Sequence, residues 1–247
     1  MKTTKMNKES EWKRARLGKI TASELSGIMS ASGKIIDGNV SFIRKVRFER
    51  NHGFSLPVSS YAMEQGKIRE PMAVEWYRAN FPEQKIIYSQ ELPAIPFWEN
   101  PDVPNFGASP DAFTEDESVV VEVKNVVSNN QIEFYFDMHT SYEEKKIAAA
   151  KEHLDQILGQ WISNPKVQTV RLLKYCAQND DILEDFDSPL EPWRGIVFNF
   201  NRENYGASIE EMVERINLFN AFISSDINPS EFKKGEWYVE GGELKKR

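Results

Sequence analysis

The sequence predicts an α/β fold in which a central mixed sheet is flanked by helices, and three observations carry that expectation. Residues Val119–Asn125 are rich in β-branched side chains, as a strand is. Lys166–Cys176 and Trp193–Phe200 read as two more strands that extend the sheet as a hairpin. A broad apolar face formed by Ile209, Met212, Val213, Ile216, Leu218, Phe219 and Phe222 marks an amphipathic helix from Ser208 to about Ser224. Strands and helices mixed along one chain call for helices laid on a sheet.

Taken in order, the first element follows Trp12-Lys-Arg-Ala-Arg-Leu-Gly-Lys-Ile, where basic residues run into a helix start. Thr21 and Glu24 have the spacing of a capping box, with Leu25, Ile28 and Met29 as the apolar stripe behind it. Free N–H groups at Ala22 and Ser23, with Arg16 and the Ser23 hydroxyl beside them, would cradle a phosphate. A plain capped helix with Arg16 on the surface accounts for the same letters. In Tyr61–Tyr77 the i,i+4 pairs Met72/Trp76 and Ala73/Tyr77 indicate a second helix, which Pro71 either begins or kinks. Glu70 then lies at a helix end or bend, where an acid can also simply complement the dipole.

The Phe106–Asn125 segment holds the chemistry. Side chains alternate along a strand, so Glu122 and Lys124 share one face while Val121 and Val123 point into the core. Gly107 permits a tight approach and Pro110 fixes the backbone before Asp111, which places Asp111 where a strand gives way to a turn. Two carboxylates and an ammonium then converge. Mg²⁺ or Mn²⁺ takes hard oxygen ligands and can acidify water, and a lysine beside it can orient water and offset charge on a phosphate. An isolated Asp…Glu-x-Lys match is equally what an edge hairpin with surface charges would show.

The ordered set of segments resembles the phage lambda exonuclease family, the YqaJ-type viral recombinases of the PD-(D/E)XK nuclease superfamily. Arg16-Leu-Gly-Lys-Ile-Thr-Ala-Ser23, Gly66-Lys-Ile-Arg-Glu70, Glu91 in Tyr-Ser-Gln-Glu-Leu, Ser109-Pro-Asp111, Glu122-Val-Lys124 and Gln156 are similar to the family's motifs, from Trp12 to about Trp161. The resemblance implies a restriction-endonuclease-like core. It implies that Asp111, Glu122 and the Val123 carbonyl hold a metal, that Lys124 positions water, and that Glu70 and Glu91 hold metal-bound waters or a second ion. It further implies that Gln156 orients the lysine or the water. Arg16 and Ser23 would grip the phosphate, with Thr21, Arg14 and Lys19 also on the DNA. The implied activity is a Mg²⁺-dependent 5′-to-3′ exonuclease on double-stranded DNA ends, which leaves a 3′ overhang for a single-strand annealing protein and works as a ring-shaped homotrimer. An endonuclease of the same superfamily and a catalytically silent DNA-binding or assembly protein are the alternatives. The chain departs from the family at Asn125-Val126, where the family often has Cys-Pro, and across the aromatic Val127–Tyr142 segment, which reads as a packed loop rather than a DNA-stacking arch.

Composition agrees with a single intracellular enzyme and the length permits one domain or two small ones, while the resemblance implies one nuclease domain over residues 1–247. Hydrophobic residues make up 40% of the 247, enough for one sizeable core, and no linker, repeat or low-complexity tract divides the chain. With no long apolar stretch and a polar, lysine-bearing N-terminus, a soluble cytoplasmic protein is expected. Cys176 is the single cysteine, which excludes an intramolecular disulfide and a four-cysteine cluster. The net charge of −7 opposes DNA binding taken globally. Basic residues nevertheless gather at Lys2, Lys5, Lys8, Lys13, Arg14, Arg16 and Lys19, and again at Arg44, Lys45, Arg47 and Arg50, where they could line a DNA path. The acids of Asp180–Glu191 read as a solvated loop. His52 and His139 fall in expected loops. His153, on a helix over Glu143–Ser163, reads as a packing residue, as do Trp98, Trp161, Trp193 and Trp237.

Overall fold

The computed structural model describes residues 2–28, 40–56, 61–177, 190–231, 236–241 and 243–247, and for 2–7 and 61–63 the backbone only. Met29 and the acidic segment up to residue 189 lie outside the described residues. The chain opens with α1 (Lys2–Arg16), β1 (Ile20–Thr21) and a 3₁₀ segment, Ala22–Gly27, followed by α2 (Val40–His52) and α3 (Tyr61–Asn80). Short strands β2 (Ile87–Tyr88), β3 (Phe106–Gly107) and β4 (Ala112–Phe113) lead to the long strand β5 (Val119–Val126). Next come α4 (Asn129–Phe136), α5 (Tyr142–Ser163), β6 (Thr169–Cys176), β7 (Gly195–Asn201) and α6 (Gly206–Ile223). A hairpin of β8 (Trp237–Glu240) and β9 (Glu243–Lys246) completes the described elements.

β5 is the middle of a five-stranded sheet of order β2-β4-β5-β6-β7. It pairs antiparallel with β4 and parallel with β6, and β6 pairs antiparallel with β7, so the sheet is mixed. The parallel β5/β6 pair is joined through α5, as a parallel connection requires. That helix starts at a full capping box: Glu144 N–H donates to Ser141 Oγ at 3.3 Å, and Ser141 N–H donates to Glu144 Oε2 at 3.1 Å. One face of the sheet packs Val121, Val123, Leu173 and Tyr175 under Ala73, Val74, Trp76 and Tyr77 of α3. The other packs Val120, Val126, Leu172, Phe198 and Phe200 under Ile157, Leu158 and Trp161 of α5 and onward to α6. Both faces of β5 are therefore covered, and Glu122 is buried in a helix-covered layer rather than on an open face.

Several expectations change. The Thr21–Glu24 segment is not an α-helix: Ala22–Gly27 is a single 3₁₀ stretch, and Thr21 makes no side-chain cap to the backbone because its hydroxyl donates to Glu24 Oε2 at 2.7 Å. The start of this 3₁₀ stretch, Ala22 and Ser23, lines a cleft together with Arg16. Pro71 does not begin its helix but lies inside α3, the other of the two places expected for it. An N-terminal helix, α1, forms where none was expected, and the β8/β9 hairpin forms beyond α6. The Val127–Tyr142 stretch contains α4, with Ser128 as N-cap and Tyr135 fully inside the core, which agrees with packing over an arch. His52 ends α2 rather than sitting in a loop, and Trp193 is half exposed.

Three side chains of the second basic cluster are engaged within the protein. Arg47 donates from Nη2 to Phe222 O at 2.7 Å and from Nε to Ile223 O at 3.0 Å, which satisfies carbonyls left open at the C-terminus of α6. Arg50 donates to Gly18 O and Asn220 Oδ1, both at 2.7 Å, and Lys45 pairs with Glu24. Arg44 is exposed on α2.

Candidate metal and phosphate site

The β4/β5 register places Ala112 opposite Val121, so Asp111, one residue before β4, stands level with Glu122. Asp111 is held there from both sides. Its backbone carbonyl accepts from Ser89 N–H at 2.9 Å, and its Oδ2 accepts from Val123 N–H at 2.8 Å. Gly107 lets the preceding strand approach, because a Cβ at that position would stand 2.6 Å from Trp98 O and meet the Phe97 ring.

Glu122 is 2% exposed, and a carboxylate taken that far from water without partners would cost several kcal/mol. Three donors compensate it. Lys124 Nζ lies 2.9 Å from Oε1, Gln156 Nε2 donates to Oε1 at 2.5 Å, and Gln160 Nε2 donates to Oε2 at 3.0 Å. Residues 156 and 160 are one helical turn apart on α5, so a single stripe of that helix delivers both amides. Glu70, from the middle of α3, joins from the other side of the cleft, with the Tyr88 hydroxyl bonded to its carboxylate. The cleft has a volume of about 220 Å³ and is lined among others by Trp12, Arg16, Ser23, Lys67, Glu70, Asp111, Gln156 and Gln160.

The electrostatics reflect crowded acids. Burial, and then the charges of Glu122 and Glu70, push the Asp111 carboxyl well above its ordinary value, against the pull of Lys124. Glu70 is raised for the same reasons, with Tyr88 opposing. Burial alone would lower the Lys124 ammonium, yet Glu122 and Asp111 hold it above its ordinary value. The group thus favours added positive charge. Among the described residues no three acidic, imidazole or thiol side chains close on one point at ligand distance. A hard divalent cation does not need three, since one or two carboxylates with a carbonyl, waters and phosphate oxygens suffice. Asp111 and Glu122 are carboxylates of the hard-oxygen kind that such an ion takes.

Arg16 and Ser23 reach the same cleft. Arg16 Nη2 donates to Ser23 Oγ at 3.1 Å and to Thr21 Oγ1 at 3.3 Å, and its guanidinium stacks 4.5 Å from the Trp12 ring centroid. Other expected residues are not brought there. Glu91 forms a two-pronged pair with Arg78, Nη1 to Oε1 at 3.1 Å and Nη2 to Oε2 at 2.8 Å, and this bond holds its carboxyl below its ordinary value. Lys19 pairs with Glu99 at 2.8 Å and lies over Phe97, Arg14 is exposed on α1, and Thr21 is buried behind Arg16. Several lining residues were missed by the sequence reading, among them Trp12, Lys67, Gln90, Ile95 and Gln160. Gln160 was signalled by its i+4 spacing from Gln156. Trp12, whose Nε1 donates to Ser109 Oγ at 2.7 Å, carries no local signal because that contact spans 97 residues.

Comparison with known proteins follows this geometry. The profile of the YqaJ-like viral recombinase domain matches residues 11–161. No curated protein sequence matches. Among solved structures, the alkaline exonuclease LHK-Exo from Laribacter hongkongensis superposes with a TM-score of 0.60 at 21% identity, covering 87% of this chain and 94% of that one. The same enzyme in complex with dAMP gives 0.58 at 22%, covering 87% and 92%. A phage-related exonuclease from Haemophilus somnus 129PT gives 0.57 at 15%, covering 83% and 95%. The mixed sheet and its flanking helices are thus the fold of these exonucleases. With the profile spanning the 3₁₀ segment, the β4/β5 acids and the amide-bearing face of α5, the chain belongs to the YqaJ-like viral recombinase family.

Proposed function

We propose that the protein is a divalent-metal-dependent exodeoxyribonuclease acting on double-stranded DNA ends, with residues 1–247 as one nuclease domain. The observation that carries this reading is that Asp111 and Glu122 stand level across the β4/β5 pair, with Lys124 Nζ 2.9 Å from Glu122, beside a cleft lined by Asp111, Arg16 and Ser23. Acids sufficient for a cation and donors sufficient for a phosphate face one another there. Asp111, Glu122 and the Val123 carbonyl would hold Mg²⁺, or Mn²⁺ in its place. A divalent ion so bound supplies Lewis acidity toward phosphate oxygens and makes water a better nucleophile at neutral pH.

This chain's own residues do the remaining work. Arg16 and Ser23 bind the phosphate, with the Trp12 ring fixing the guanidinium plane. The Lys124 ammonium, kept charged by its acidic neighbours, orients the attacking water and offsets charge as it builds on the phosphate. Gln156 and Gln160 fix the Glu122 carboxylate, and Glu70 would hold metal-bound waters or a second ion. The finer reading is 5′-to-3′ degradation that leaves a 3′ overhang for a single-strand annealing protein, performed by a homotrimer.

Incubation with Mg²⁺ and end-labelled linear or closed circular duplex DNA tests it. Degradation of linear DNA with circles left intact is expected. Cutting of circles would replace the exonuclease with an endonuclease, and no metal-dependent cleavage of either would leave a DNA-binding protein. Release of 5′ rather than 3′ label first checks the polarity.

A further inference from the structure

On the sheet face that carries Glu122 and Lys124 there is a second lysine. The parallel register sets Lys174 of β6 directly beside Lys124 of β5, and Lys174 is 2% exposed. Its ammonium contacts Glu152 Oε2 at 2.6 Å and His153 Nε2 at 2.7 Å, and sits 4.6 Å from the centroid of the buried Tyr135 ring. It does not line the cleft. A buried ammonium costs stability that an apolar residue between Leu173 and Tyr175 would not, so packing does not account for it.

Its partners explain its position. Glu152, Gln156 and Gln160 follow one another at four-residue intervals on α5, so they form one stripe facing the sheet. Each makes a charged contact with the β5/β6 pair: Glu152 with Lys174, Gln156 and Gln160 with Glu122. The Lys174 link is the end rung of this ladder, and the only one of the three that leaves the metal-ligating carboxylate alone. From this geometry we infer that Lys174 is a positioning residue for the cleavage reaction: through Glu152 it sets the rotation of α5, which aims Gln156 at Glu122. The inference rests on the nuclease reading given above.

The test is a double-mutant cycle of Lys174→Met with Gln156→Ala, measured as kcat and KM on linear duplex DNA. Lys174→Met is expected to lower kcat about tenfold with KM unchanged, and the double variant to be no more than about twofold slower than Gln156→Ala alone. Glu152→Gln, which removes the charge from the same link on the α5 side, should lose kcat to the same extent, and it carries the test if Lys174→Met does not fold. An unchanged kcat, a raised KM, or effects that multiply in the double variant would overturn the inference. A second readout needs no activity: the side-chain amide resonances of Gln156 and Gln160 should shift in Glu152→Gln, and unshifted resonances would refute the positioning role. Wild-type protein that leaves DNA intact would refute the nuclease reading, while the amide resonances would still decide this one.

Discussion

Lys124 stands 2.9 Å from Glu122 and is held above its ordinary pKa by Glu122 and Asp111, so it is charged throughout the neutral range. Lys124→Ala is expected to bind duplex DNA within about twofold of wild type and to cleave it roughly 10²–10⁴ times more slowly, as loss of a positioned proton-handling or charge-stabilising group does. Filter binding and single-turnover cleavage check this, and substantial residual cleavage would contradict the role. Asp111 presents the opposite balance. Its folded-state pKa lies above the ordinary value of 3.8, so the native protein gains stability as pH falls and holds the ionised form at a cost near neutrality. Asp111→Asn should therefore raise Tm at pH 7 in chelator, while abolishing the further rise that Mg²⁺ gives the wild type. A Tm that falls in chelator, or a Mg²⁺ response that persists, would remove Asp111 as a ligand.

The elements bearing these residues are held at close quarters. α5 crosses the Ala22–Gly27 segment so tightly that a Cβ on Gly159 would lie 2.8 Å from Ala22 Cα. Gly159→Ala is expected to cost about 1–3 kcal/mol by forcing the two segments apart. It should also lower cleavage, because the displaced segment carries Ser23 and helps seat Arg16. Calorimetry with cleavage rates checks both. At the other end, Arg47 ties α2 to the last carbonyls of α6. Arg47→Ala should destabilise by about 2 kcal/mol, the worth of charge-assisted bonds, without altering the salt dependence of DNA binding. A shallower salt slope would return Arg47 to the DNA path from which its contacts withdraw it.

Across the molecule, acid sensitivity follows from which carboxylates are paired. Glu152 is depressed from about 4.5 to about 2, chiefly by the hydrogen bond with His153 and then by Lys174. A depressed acid contributes stability that is complete above its unfolded value and disappears as pH falls through the folded one, so this contribution is lost between about pH 4.5 and 2. Glu152→Gln should flatten the fall of Tm over that window, and an unchanged slope would exclude the pair as its cause. Net charge works at the same level. With −7 overall, an anionic ligand would have to be met by a local arrangement of positive charge, and Arg16 and Lys67 at the cleft provide one. Among the described residues no helix is long and apolar enough to cross a membrane.

The chain alone determined the elements whose signal is local. The β-branched run of β5, the strands β6 and β7, the helices α5 and α6, and the Asp111, Glu122 and Lys124 set were legible because period and turn chemistry act over a few residues. Glu70, Arg16, Ser23 and Gln156 were found through ordered motifs, and the structure brings them to one cleft. Tertiary contacts decided what local signals could not. Thr21 and Glu24 satisfy capping spacing, yet Lys45 and Arg16 compete for their oxygens and a 3₁₀ turn results. Glu91 sits on a motif position but is captured by Arg78, and the Arg47 and Arg50 cluster is spent on α6 and the loop at Gly18. Trp12 enters the cleft through a partner 97 residues away, and Lys174 is set beside Lys124 only by strand pairing. Periodicity records which face a side chain is on, but the partner that claims a charged group is chosen by the folded neighbourhood, where an unpaired buried charge is too costly to leave.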